Sequence, residues 1–407
     1  MLTIDSFKEA RERIKGVILD THLIHSDHYS RLTGGEVYFK PENMQVTGAF
    51  KVRGAYYKVS CLSKEERAKG LVTSSAGNHA QGVAYAARAA GVPATIVMPT
   101  TAPLVKVNNT KDLGAEVILE GGSFDDCAAY AQKLAEERGM TMVHPFNDLT
   151  VATGQGTISY EILQDLPEAD IILVPIGGGG LAAGVATLAK LLKPSIQVIG
   201  VEPTGAACML AAVNAGEPVT LPSAVTIADG VAVQTAGDLL LPYIKANVDR
   251  IITIDDDALV DAFLDMMEKH KMIVENAGLL TVAALSKLEL RGKNVVSILS
   301  GGNMDVITVS SLVQHGLISR GRVFTLSVQL PDRPGELLGI ATVIAEQRGN
   351  IIRLEHNQFV SINRQNAVEL RVTMETFGHA HKEEILAALK AAGYEAREVS
   401  LVGALYD

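Results

Sequence analysis

From Gly70 onward the chain repeats one pattern: a short apolar run, a turn, then a stretch with helical spacing. The apolar runs fall at 71–73, 94–98, 116–119, 142–143, 171–175, 198–201 and 295–299. Stretches of helical period lie at 78–90, 124–137 and 181–192. Short strands with no wet face, each followed by a helix, argue for α/β architecture with buried parallel sheets and helices on both faces. A chain of 407 residues is long for one core, so two or three domains are expected.

Composition narrows the class. Hydrophobic residues make up 47% and charged residues 20%, as in a soluble globular protein. A formal charge of -10 excludes a general nucleic-acid partner. Residues 4–16 read as an amphipathic helix with no signal-peptide core, and no apolar run is long enough to span a bilayer, so a cytoplasmic protein with no membrane partner is expected. Cys61, Cys127 and Cys208 are too widely spaced for a metal knuckle or a disulfide frame. Near Ser310 to Arg322 the texture changes, with His315-Gly316 and Arg320-Gly321-Arg322 resembling a linker. Beyond it the order is strand 324–329, helix 336–347, strand 351–355, strand 368–374, helix 382–391, strand 395–401. That is the β-α-β-β-α-β ferredoxin-like order.

Four short stretches carry chemistry. In Thr47-Gly48-Ala49-Phe50-Lys51-Val52-Arg53-Gly54 one lysine stands among small and apolar residues. A desolvated amine has a depressed pKa and can attack a carbonyl to form a Schiff base; a lysine snorkelling from an ordinary helix is the plainer alternative. Thr73-Ser74-Ser75-Ala76-Gly77-Asn78-His79 lies where a strand turns into a helix, and helix N-termini favour anions; Ser75 or Asn78 can equally be plain caps. Gly177-Gly178-Gly179-Gly180-Leu181 follows the strand at 171–175 and reads as a phosphate cradle. The same run satisfies G-x-G-x-x-A through Gly177, Gly179 and Ala182, with Glu202 placed to hold a ribose, so a nicotinamide-dependent oxidoreductase is a distant alternative. Ser300-Gly301-Gly302-Asn303 closes the strand at 295–299, where open α/β sheets bind ligands. The histidines, among them His79, His144 and His356, are scattered, and the cluster His22, His25 and His28 reads as surface.

Taken in order, these motifs resemble the fold-type II pyridoxal-phosphate enzymes, and within them the threonine ammonia-lyase (threonine dehydratase) and serine racemase group. The resemblance covers residues 15 to 318. The tail, with Leu330-Pro331-Asp332-Arg333-Pro334-Gly335-Glu336-Leu337 and Gly349-Asn350-Ile351, is similar to an ACT domain; one copy resembles the medium-length threonine ammonia-lyases. The domains implied are a catalytic one at 1–318 with a smaller mobile subdomain near 48–150, a linker at 319–323, and a regulatory domain at 324–407. Lys51 is implied as the Schiff-base lysine and general base, with Phe50 near the ring. Asn78 would bond the ring 3'-oxygen. Gly177, Gly178, Gly179, Gly180 and Leu181 would hold the phosphate. Ser300 would face the ring nitrogen. Ser75, Ala76, Gly77, Asn78 and His79 would take the substrate carboxylate.

The activity implied is elimination of water from L-threonine, to 2-oxobutanoate and ammonia, with L-serine as lesser substrate. Serine racemase or serine dehydratase is the alternative within the same fold. Ala76 stands where the racemases carry their second proton-moving serine, which favours elimination. Glu202 and the Ala206 carbonyl match the racemases' divalent site, but Cys208 replaces its acid, leaving room at most for a monovalent ion. Thr21-His22-Leu23, in place of Thr-Pro-Leu, and the asparagine of Val274-Glu275-Asn276-Ala277-Gly278 also depart from the family pattern. A branched-chain amino acid, isoleucine or valine, is the implied effector, bound at paired tail modules of a homo-oligomer, a dimer or tetramer.

Overall fold

The apolar run near 171 forms the strand Ile171–Pro175, buried along its whole length. A strand with no wet face needs cover on both sides, and this one lies inside a six-stranded sheet. In spatial order that sheet runs Ile24–His25, Glu36–Pro41, Asn294–Leu299, Ile171–Pro175, Gln197–Pro203, Arg250–Ile254. Neighbours are parallel except the first pair, where Ile24 faces Phe39. Val295 is in register with Val37 on one side and Ile171 on the other. A second sheet is wholly parallel, in the order Glu116–Leu119, Ala94–Met98, Leu71–Ser74, Thr141–Met142. The computed structural model describes residues 2–122, 124–357 and 368–399. No helix among them is long and apolar enough to cross a membrane.

Glycine sets how the helices of the site pack. The helix Lys51–Ser60 lies against Asn78–Ala90, where a Cβ on Gly82 would come within 3.1 Å of the Lys51 carbonyl carbon. It crosses Leu149–Gly156 so closely that a Cβ on Gly154 would stand 2.6 Å from the Gly54 Cα. Leu149–Gly156 then meets Gly180–Leu192, where a Cβ on Gly184 would lie 2.1 Å from the Ala152 carbonyl oxygen. The helix Leu149–Gly156 is buried from Val151 to Gly156 and so shows no amphipathic period, which is why the sequence does not announce it. Gly184→Ala is expected to cost at least about 1–3 kcal/mol by overpacking this crossing. An unchanged denaturation midpoint in that variant would show the crossing to be looser than drawn.

The chain divides into two compact units, Met1–Val306 and Ile307–Asp407. The linker expected from the sequence lies at 319–323. The helix Val306–Ser319 takes in His315 and Gly316, with Gly316 buried in it, and residues 320–322 form the turn before Val323–Leu330. In the second unit four antiparallel strands run Asn350–Asn357, Val368–Glu375, Val323–Leu330, Ala396–Val399 in space. With the helices Glu336–Glu346 and His379–Ala391 they keep the β-α-β-β-α-β order around a core that includes Phe324, Leu326, Ile340, Leu370 and Ile385. The expected last strand extends to 401, and residues 400–401 lie outside those described.

Candidate active site

Lys51 is placed by a short antiparallel pairing. The Phe50 N–H donates to the Ser300 carbonyl at 3.0 Å, and the Gly302 N–H donates to the Gly48 carbonyl at 2.9 Å. Ala49 bridges Gly301 between them. Gly48 has φ +69, and a Cβ there would sit 2.4 Å from Asn303 Oδ1, so glycine alone fits this turn. Lys51 therefore opens its helix beside the carboxyl end of Asn294–Leu299, with Ser300 buried at that strand's end. Sequence distance hides this meeting of Lys51 and Ser300; the topology creates it.

The Lys51 Nζ donates to the Pro145 carbonyl at 2.7 Å and stands 5.3 Å from the centre of the Phe50 ring. Burial pulls its pKa down to about 8, against the opposing pull of the Glu275 carboxylate. The amine is charged below that value and neutral above it. Capture of an aldehyde by the ligand-free protein should therefore speed up by about tenfold per pH unit on the acid side and level off above about 8. A stopped-flow pH profile of that capture checks the prediction, and a flat profile would contradict it.

The segment after Val143 joins the lysine to the glycine run. His144 Nδ1 accepts from the Phe146 N–H at 3.2 Å and the Asn147 N–H at 2.8 Å. Burial, helped by the Lys51 charge, lowers the His144 pKa and keeps that nitrogen free to accept. The turn so made aims the Pro145 carbonyl at Lys51 and lays Phe146 on the glycines. A Cβ on Gly178 would be 2.2 Å from the Phe146 ring. Gly179 has φ +100 and caps the helix Gly180–Leu192, whose first turn carries no acid. Gly177 packs against Val231, and Leu181 is buried. Backbone N–H groups at such a helix start suit a phosphate. In the sequence His144 is only one of the scattered histidines, and nothing local marks Pro145 or Phe146.

Asn78 begins the helix Asn78–Ala90 and does not cap it. Its Nδ2 donates to Glu275 Oε1 at 2.9 Å and Oε2 at 2.8 Å, and its Oδ1 accepts from Asn303 Nδ2 at 2.9 Å. Ser75 Oγ accepts from the Gly77 N–H at 3.2 Å, closing the turn before the helix. Beside it Ala76 is half-buried and Gly77 has open space where a side chain would be. His79 turns away: its buried ring pairs through Nε2 with the Val143 carbonyl at 2.9 Å. Burial and then the Lys51 charge push its pKa down to about 3, so the ring is neutral and Nε2 carries the proton. The backbone N–H is what His79 has left to offer a carboxylate.

Glu202 is not free for a ribose. It is fully buried, and its two oxygens accept from the Met209 N–H at 2.9 Å and the Leu210 N–H at 2.8 Å. Its carboxylate thus holds the start of the helix Cys208–Ala215, and burial raises its pKa to about 7. Ala206 is buried in the one-turn helix Thr204–Ala206 that precedes it. Burial also pushes the Cys208 thiol up to about 12, leaving a neutral sulfur where a divalent ion would need an acid. Among the described residues no cluster of three or more His, Cys, Asp or Glu is arranged to hold a metal ion.

A desolvated amine, an acid-free glycine-built helix start linked to it through Pro145 and Phe146, and the Asn78 carboxamide fit pyridoxal phosphate, which needs an imine partner, a phosphate seat and polar groups around its ring. Residues 14–301 match the family model described as pyridoxal-phosphate dependent enzyme. An L-threonine ammonia-lyase of Thermotoga maritima is 43% identical over 98% of this chain and 100% of its own length. The processed form of threonine deaminase isoform 2 from Solanum lycopersicum matches with TM-score 0.73 and 36% identity, over 77% of this chain and 94% of that one. A maize serine racemase structure matches with TM-score 0.73 and 39% identity, over 78% of this chain and 98% of that one. The chain belongs to the pyridoxal-phosphate dependent enzymes, in the group that holds the L-threonine ammonia-lyases.

Proposed function

We propose that this enzyme eliminates water from L-threonine to an unsaturated amine whose hydrolysis gives 2-oxobutanoate and ammonia, with L-serine as a lesser substrate giving pyruvate. Bound pyridoxal phosphate supplies an electron sink for the bonds at the substrate's α-carbon. The phosphate would sit on Gly177, Gly178, Gly179, Gly180 and Leu181, with Phe50 near the ring. Ser300 would face the ring nitrogen. A neutral hydroxyl there holds less positive charge on the ring than a carboxylate would, which suits prompt loss of a β-hydroxyl. Ser75 and the backbone N–H groups from Ala76 to His79 would take the substrate carboxylate and turn the α-hydrogen toward Lys51. Lys51, released as a neutral amine, takes that proton as general base. The β-hydroxyl leaves as water with the proton that Lys51 took, and the unsaturated amine set free takes up one water to give the 2-oxo acid and ammonia.

The observation that carries this reading is the Lys51 amine, held near neutrality against Pro145 while the next residue, Phe146, rests on the glycine run. Ala76 offers no second proton-moving group opposite the lysine, and this favours elimination over racemisation. Assaying 2-oxo acid release and substrate inversion across a panel of 3-hydroxy amino acids tests it. Faster inversion than 2-oxo acid release would replace the reading with racemase. We assign the second unit as an ACT domain that binds isoleucine or valine at paired copies in a homo-oligomer. Truncation at residue 322 is expected to abolish the response to these amino acids, and a retained response would refute the assignment.

A further inference from the structure

We propose that Glu275 and Asn303 are positioning residues that lock the Asn78 carboxamide so that it presents the cofactor ring with an N–H and never with its oxygen. This rests on the reading of Asn78 as the partner of the ring 3'-oxygen. A carboxamide has an acceptor end and a donor end of nearly equal shape, so its orientation is set by its neighbours. The lock starts from a group that cannot flip: the Thr47 backbone carbonyl, which accepts from Asn303 Nδ2 at 2.7 Å. That contact fixes the Asn303 nitrogen inward, and the same nitrogen donates to Asn78 Oδ1 at 2.9 Å. The Asn78 oxygen is thereby occupied, and its nitrogen must face Glu275.

Glu275 accepts there with both oxygens, at 2.9 and 2.8 Å. One hydrogen shared between two carboxylate oxygens leaves the second N–H of Asn78 to point elsewhere. Glu275 is itself held: it is 6% exposed, and its backbone N–H donates to the Gly301 carbonyl at 2.9 Å. A Cβ on Gly301 would stand 2.4 Å from Oε1, so the glycine after Ser300 is what makes room for the carboxylate. An ionised ring oxygen is an acceptor, and the Asn78 amide, fixed from both ends, meets it as a donor.

The test uses four holoenzyme variants: Asn78→Ala, Glu275→Gln, Asn303→Asp, and the double variant Asn78→Ala with Glu275→Gln. The readouts are the absorption spectrum of the bound cofactor and its dissociation constant, from titrating apoenzyme with pyridoxal phosphate. Glu275→Gln keeps the shape but sets a second NH2 against the Asn78 nitrogen; Asn303→Asp replaces the donor by an acceptor at the other end. Each single variant should shift the visible band and weaken cofactor binding by about tenfold. The double variant should bind no more weakly than Asn78→Ala, because Glu275 acts through Asn78. A shifted spectrum in Asn78→Ala with wild-type behaviour in Glu275→Gln and Asn303→Asp overturns the lock and spares the role of Asn78. So do losses that multiply in the double variant. An unshifted Asn78→Ala overturns the role of Asn78 itself. If Glu275→Gln fails to fold by circular dichroism, Asn303→Asp decides.

Discussion

Lys51→Ala is expected to end turnover of L-threonine while leaving the protein folded. Loss of a positioned general base alone costs on the order of 10²–10⁴-fold in rate, and here the imine-forming amine is lost with it. The purified variant should lack the yellow colour of a lysine imine, and borohydride should fix no cofactor to it. Folding should survive, since the change removes an amine that burial already disfavours in its charged form, with the pKa down at about 8. The salient comparison is the urea midpoint beside the rate of 2-oxo acid release. Activity within tenfold of wild type would place the base elsewhere.

The second large effect is on stability and comes from Arg53, two positions along the same helix. Arg53, Glu42 and Lys40 are fully buried. The guanidinium bonds Glu42 through Nε at 2.7 Å and Nη2 at 2.8 Å, and Glu161 through Nη1 at 2.6 Å and Nη2 at 2.7 Å. Lys40 donates to Glu161 and to the Thr21 carbonyl, and Thr21 Oγ1 donates to Glu42 at 2.5 Å. Burial opposes the charge on Arg53, but the Glu42 and Glu161 carboxylates outweigh it and hold the proton more firmly. Burial likewise pushes Glu42 up, and Arg53 with Lys40 pulls it below its ordinary value. Arg53→Ala strands two carboxylates with one lysine and should cost about 3–5 kcal/mol in denaturant unfolding. Replacing the network together, with Lys40→Met, Arg53→Met, Glu42→Gln and Glu161→Gln, should recover part of that loss, because no buried charge is then left unpaired. The sign with pH follows from Glu42. Its contribution is complete above the unfolded value near 4.5 and is lost as pH falls, so Glu42→Gln should flatten the acid limb of the stability curve. A wild-type midpoint in Arg53→Ala would mean that water reaches the network.

Much of the catalytic frame was legible before any coordinates. The runs that became Ala94–Met98 and Ile171–Pro175 match to the residue, because buried parallel strands are short, apolar and flanked by turns, and the edge strand Glu116–Leu119 matches as well. The helix starts at Asn78 and Gly180 were visible as glycine or polar residues between a strand and a helix. Helices buried on every side, such as Asn276–Ala284, stayed hidden for want of a polar face. His315-Gly316 resembled part of a linker for a related reason: a glycine buried in a helix reads as a breaker until its neighbours are known. Arg53 and Glu161 are ordinary charged residues in sequence and become a buried ion network only when two helices meet.

The alternation of short strands with helices, the lone lysine among small residues and the glycine run after Ile171–Pro175 were determined by the sequence alone, because periodicity and turn chemistry are properties of adjacent residues. What only the tertiary structure decided is how distant groups meet: Glu275 on an amide 197 positions away, Asn303 on that same amide 225 positions away, and Pro145 on the Lys51 amine. Those contacts depend on glycine crossings that bring backbones together, and no local pattern encodes the side chain that a distant backbone will face.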